Sequence, residues 1–343
     1  MSPPGRPKGE YRRAQPEGTP VNPRRARRSR QRGAALLMAM VLVTLVTTLA
    51  AGMVWQQWRA VQVEAAERAR SQAEWVLLGA LDWSRLILRE DARSGRIDHL
   101  GEPWATPLAE ARLSTFLAAD RDNNVDQGPE AFLSGSISDV QGRYNLRNLV
   151  GDDGKLVPAE LQTLARLCAV AGLPGDAARL LAEALAQAWG PPIQGATGRG
   201  TALPIQRYEQ LAWLGIDPRL VAALRPVAEI LPGATPLNVN TAPREVIAAV
   251  LDVDLGAAER LVQVRQRSPI DSLERLKAFL PQGATPDARR VGFASNHFEV
   301  TGRLRLDERV LEERALMQRR GSGSATEVVA LRRERRSLPA ELR

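Results

Sequence analysis

Residues 34–54 read AALLMAMVLVTLVTTLAAGMV and carry no charge. At about 1.5 Å per helical residue such a stretch crosses the roughly 30 Å hydrocarbon core of a bilayer. The arginines before it, up to Arg30 and Arg32, stay in the cytoplasm by the positive-inside rule, so the chain after Val54 is exported. A secretory signal has the same outline, but its apolar region is only about 7–15 residues long and ends in a small-x-small cleavage site. Ala50-Ala51-Gly52 is a passable site of that kind. The helical pattern nevertheless runs past it through Trp55 and Trp58 into VQVEAAERARSQAEWVLLGALDWSRLILRED, with no proline and much Ala, Glu, Arg and Leu. It predicts one helix from Ala34 to about Arg89, on the order of 80 Å long.

Working outward, the charge is lopsided. The formal charge of the 343 residues is +8, from 47 Lys/Arg and 39 Asp/Glu. Residues 1–33 alone hold ten of the bases and two of the acids, leaving 37 of each in the rest. A protein that grips phosphate backbones needs its surplus on the folded domain, because counterion release supplies much of that affinity. The neutral remainder argues against nucleic acid as a partner. Cys168 is the only cysteine, so no internal disulfide can form, and its apolar neighbours Leu167 and Ala169 mark a buried thiol. His99 and His297 lie in no metal motif, and no phosphate loop, GxSxG or CxxC pattern occurs. An enzyme is not expected.

The junction Gln31-Arg32-Gly33-Ala34-Ala35-Leu36-Leu37 resembles a type IV prepilin cleavage site. The resemblance implies that prepilin peptidase cuts between Gly33 and Ala34 and that Ala34 is then N-methylated. At the fifth position after the cut, where pilins usually carry Glu, stands Met38. Further on, Asp139, Gly142, Arg143, Tyr144, Asn145, Leu146, Asn148 and Leu149 form a D-x-x-G-R-[FY]-N-L-x-N-L stretch. Both features resemble the general secretion pathway protein K family of type II secretion. An uncleaved signal anchor is the plainer alternative for the N-terminus.

Residues 135–149 alternate loosely around Gln141-Gly142 and predict a β-hairpin. From Pro158 to about Leu280 the period becomes helical, each segment closed by Gly or Pro. Within it, residues 237–280 resemble a helix-hairpin-helix (SAM-like) module, with Thr241 as the expected N-cap, Pro243 near the first turn, and Asp252 to Gly256 as the hairpin. This module carries the rival reading, a membrane-anchored DNA-binding competence-type protein. Such hairpins hold phosphate through backbone N–H groups, and Asp252 and Asp254 would repel it. Residues 296–306 and 310–317 predict strands, and the tail from Arg319 is expected to be mobile.

The expected fold class is therefore α+β: a pilin-like long N-terminal helix packed on a small antiparallel sheet, with an inserted all-helical domain. The divisions are a cleaved basic leader (1–33), a transmembrane segment (34–54), the periplasmic part of the helix (55–90), the first part of the sheet (91–150), the inserted domain (151–290), the C-terminal strands (291–318) and a flexible tail (319–343). The resemblance implies a minor pseudopilin in the bacterial inner membrane, capping the periplasmic pseudopilus. Its partners would be minor pseudopilins I and J, other pseudopilins, prepilin peptidase and membrane lipid. It also implies calcium, through an acidic D-W-x-D-x-D loop, but the matching Gln187–Ala196 has Trp189 and no carboxylate. Asp120, Asp122, Asn124 and Asp126 take positions 1, 3, 5 and 7 of an EF-hand-like loop, although Val125 replaces the turn glycine and Ala131 the bidentate Glu. They are the weak calcium candidates.

Overall fold

The structure is a computed structural model that describes residues 31–113, 131–190, 204–306, 309–321 and 323–339. Helix α1 (Gln31–Ser94) contains 64 residues. The chain divides into one unit ending at Arg68 and a second beginning at Ala69.

The first unit is the leading part of α1. Its apolar side chains from Leu36 to Val54 are exposed, as suits a helix whose solvent is lipid. The three threonines there leave no hydroxyl unmet: Thr44, Thr47 and Thr48 donate to the carbonyls of Val41, Val43 and Leu45 one turn back. That self-satisfaction matters in hydrocarbon, where water cannot supply the bond.

In the second unit α1 turns amphipathic. Ala73, Leu77, Leu81, Ser84 and Leu88 are buried at spacings of three and four, the stripe that one helix face lays on a neighbour. That neighbour is a five-stranded antiparallel sheet in the order β1-β2-β7-β8-β9, made of β1 (Leu108–Arg112), β2 (Ala131–Asp139), β7 (His297–Leu306), β8 (Arg309–Arg320) and β9 (Glu327–Pro339). Leu81, Leu88, Trp104, Phe298, Val300, Ala315 and Met317 form one core between helix and sheet. Within it Trp104 meets Phe298 edge-to-face at 5.2 Å.

Two expectations are corrected here. The tail 319–343 is not mobile over its described length: Arg319 and Arg320 end β8, and residues 327–339 are the edge strand β9, paired antiparallel with β8. Val328 and Ala330 point into the α1-facing core and Leu331 to the opposite face, so a period of two was present beneath the arginines. The other correction concerns residues 135–149, which are no hairpin. β2 pairs along its whole length with β7. The chain then makes a 3-10 turn at Val140–Gly142 and enters β3 (Tyr144–Asn145), which runs parallel to β4 (Ala228–Glu229). Asp139 and Asn145 cause the redirection, each accepting the N–H two residues on, from Gln141 at 2.8 Å and Arg147 at 3.0 Å.

Between β2 and β7 lies the helical block: α2 (Pro158–Val170), α3 (Ala177–Trp189), α4 (Pro218–Leu224), α5 (Arg244–Leu251), α6 (Leu255–Arg267) and α7 (Leu273–Ala278). Two-residue strands β5 (Leu237–Asn238) and β6 (Val291–Gly292) pair in parallel within it. It has its own core, from Tyr144, Leu146 and Leu149 through Leu181 and Leu185 to Val246, Leu261 and Leu276. Cys168 belongs to this core, and burial pushes its thiol up to about 11, leaving it an inert apolar residue.

Candidate functional site

Gly33, Ala34 and Met38 all lie on α1 in the first unit. A Cβ at Gly33 would meet nothing within 4 Å, and Met38 is 71% exposed. The junction is therefore sterically open. Asp120, Asp122, Asn124 and Asp126 lie outside the described residues. At the position matching the acidic loop, Trp189 donates its Nε1–H to the Ile205 carbonyl (2.8 Å), and Arg147 stacks on its ring at 5.0 Å. The described residues there offer a cation of their own and no carboxylate.

The hairpin between α5 and α6 uses its backbone donors internally. Asp252 takes the left-handed conformation (φ 56°), and Val253 N–H donates to Ala248 O at 3.1 Å. Asp254 is the N-cap of α6, accepting from Ala257 N–H at 2.9 Å, a bond that leads in holding its carboxyl below the usual range. Asp252 pairs with Arg166 at 2.7 Å. A carboxylate thus occupies the α6 N-terminus where a phosphate would sit. The expected N-cap Thr241 is corrected: α5 starts after Pro243, with no side-chain cap. The Thr241 hydroxyl donates instead to Asp139 Oδ2 at 2.6 Å.

That contact belongs to a joint between sheet and helical block, and the family-like stretch builds it. Asp139, at the end of β2, also accepts from Ser295 Oγ (2.6 Å) and Asn238 Nδ2 (2.9 Å). Burial pushes its carboxyl above the usual range against the pull of these bonds. Gly142 lies against Thr241: a Cβ there would stand 2.8 Å from its Oγ1 and 3.2 Å from its backbone. The Tyr144 hydroxyl donates to Glu160 Oε2 at 3.0 Å, and Glu160 pairs with Arg290 at 2.7 Å. Asn145 Nδ2 reaches Gly233 O (2.8 Å), while Asn148 makes a two-way pair with the Thr235 backbone (2.9 and 3.0 Å). Leu146 and Leu149 are fully buried. Arg143 pairs with buried Glu229 at 3.4 Å, so each named position of the stretch from Asp139 to Leu149 has a structural task. Their pattern in the sequence signals a junction between two cores and no reacting group.

Two family models match this region, both described as type II secretion system protein K, over residues 142–233 and 237–301. The chain belongs to the type II secretion system protein K family. Within that family, protein K of Pseudomonas aeruginosa is 28% identical over 302 residues, covering 81% of this chain and 86% of its own. Protein K of Pectobacterium carotovorum is 29% identical over 334 residues, covering 88% and 96%. The fold is similar to a chain in the crystal structure of the GspK-GspI-GspJ complex from enterotoxigenic Escherichia coli. That match has a TM-score of 0.59 at 19% identity and covers 79% of this chain and 98% of that one. As a member of the protein K family the chain is a minor pseudopilin of type II secretion, and the competence-type alternative is not favoured.

Proposed function

We propose that this minor pseudopilin caps the tip of the periplasmic pseudopilus, helps to start its assembly, and joins minor pseudopilins I and J there. It is a scaffold protein, not an enzyme, held in the inner membrane by α1 with its bulk in the periplasm. The observation that carries this reading is Met38 on the exposed, uncharged stretch of α1. In a pilin filament a Glu at that position pairs with the N-terminal amine of the neighbour above, which offsets its desolvation in lipid. A subunit with nothing above it has no such partner, and an apolar side chain avoids a penalty of about 2.5–3.5 kcal/mol on insertion scales. The helical block between β2 and β7 supports the same role, since its bulk would block further addition.

Processing precedes assembly. Prepilin peptidase cleaves after Gly33, whose missing side chain leaves the scissile backbone open, and Ala34 becomes the methylated N-terminus. Intact mass of membrane-extracted protein tests this: a chain beginning at methylated Ala34 is expected, and one beginning near Gly52 would refute it. Position is tested by co-purification with I and J at single copies and by gold labelling. Label spread evenly along pseudopili would make the protein an ordinary filament subunit.

A further inference from the structure

We propose that Asp91, Asp98, Glu102 and Arg319 form a proton-operated latch. It fastens the end of α1 to the sheet while Asp91 holds a proton, and loosens when that proton leaves.

The geometry comes from three elements. Asp91 sits in the last turn of α1, Asp98 and Glu102 on the loop that follows, and Arg319 at the end of β8. One oxygen from each carboxylate lies within 4.8 Å of the others. Asp98 and Arg319 are buried. Arg319 gives Nη1 to Asp91 at 2.9 Å, Nη2 to Asp98, and Nε and Nη2 to the Ser295 carbonyl at 3.2 and 2.8 Å. Its plane rests on the Phe298 ring at 4.4 Å. Among the described residues Glu102 receives neutral donors only, the His99 N–H and the Trp104 indole N–H, both at 2.8 Å.

The three carboxylates therefore crowd beside one guanidinium, which donates to two of them, Asp91 and Asp98. Asp139 adds a fourth acid from the end of β2, linked to Asp98 through Ser295. The Nδ1 of nearby His99 accepts from Gly101 N–H at 3.1 Å. Arg93, on the same turn of α1, is taken by Glu90 at 3.3 Å. Carboxylates this close in a partly buried site disfavour a negative charge on Asp91. Burial pushes Asp91 up to about 7, with Glu102 adding to the rise and Arg319 opposing it. The transition thus falls in the range a periplasmic protein meets.

The folded chain keeps a proton that the unfolded chain releases near pH 4. Its support for the fold is present at low pH and fades as pH rises from about 4 to about 7, roughly tenfold in the folding equilibrium per pH unit. Asp91→Asn fixes the neutral form without changing the side chain's size. Urea unfolding of the full chain in detergent micelles is expected to give equal stability for variant and wild type near pH 4, and a variant at least tenfold more stable at pH 8. A plain Arg–Asp ion pair gives the reverse, a variant weaker at pH 8 because Arg319 loses its counterion, and that outcome would overturn the latch. Glu102→Gln removes the next negative charge and is expected to act in the same direction. Amide exchange supplies a local readout: residues 88–102 of wild type should open more at pH 8 than at pH 6 after correction for intrinsic exchange, and those of Asp91→Asn should not. Equal opening in both proteins would also sink the proposal.

Discussion

Glu313 is 1% exposed, and its carboxylate is met by two arginines of the edge strand. Arg333 Nε donates to it at 2.6 Å and Arg335 Nη2 at 3.2 Å, while Arg335 Nη1 reaches Glu74 of α1 at 2.6 Å. Replacing both arginines by alanine leaves a buried charge unpaired. Breaking a buried pair in this way costs about 3–5 kcal/mol, but both arginines are about one-third exposed. Water will reach the cavity they leave, so about 2–4 kcal/mol is the expected loss. For a unit of this size that is a fall in Tm on the order of 5–10 °C. The triple variant carrying Glu313→Gln as well should recover most of the loss, since a neutral amide needs no counterion. Scanning calorimetry of the three proteins measures both steps. A double variant within about 1 kcal/mol of wild type, as is usual for exposed pairs, would show that β9 is not pinned by Glu313.

Phe298→Ala removes a fully buried ring between Trp104 and Arg319 and should lower unfolding free energy by about 3–5 kcal/mol in urea titration. Gly142→Ala forces a methyl against Thr241 and should cost about 1–3 kcal/mol, read in the same titration. His297 is held neutral by burial, its imidazole pushed down to about 4, so its contribution is present above pH 6.5 and lost as pH falls toward 4. His297→Gln should remove that acid limb, and because its slope opposes that of Asp91, wild-type stability should vary less with pH than either variant's. The Asp252→Asn/Asp254→Asn variant and wild type should both leave DNA unshifted at low salt in a gel assay; a shift seen only in the variant would show that the two carboxylates alone exclude phosphate.

How much of this could be read in the residues depended on whether a pattern was local. The long helix was legible because charge-free Ala34–Val54 runs without proline into a chain with apolar residues at helical spacing, and both signals lie within a few turns. The insertion was legible because the period changes at Pro158 and changes back near Asn296. β9 was not, since RRERR reads as a solvated tail unless Glu313 is known to lie beside it. Thr241 looked like a cap from its neighbours in sequence, and its real acceptor, Asp139, is remote in the chain. The Arg319 cluster was equally hidden, because Asp91, Asp98 and Arg319 meet only when α1 and β8 do.

Asp139, the last residue of β2, stands opposite Phe298 in β7, so the chain leaves the sheet and returns to it at neighbouring points. Facing residues of antiparallel strands are only about 5 Å apart, a gap that a tight turn can close. By topology alone the whole helical block is therefore an excursion from one hairpin, and a lineage could lengthen, shorten or replace it without re-threading a single strand. What restrains such exchange is the electrostatic stitching at the neck. Any substitute block must present donors to Asp139 where Asn238 and Thr241 now do, or leave a buried carboxylate with only the Gln141 N–H and the Ser295 hydroxyl.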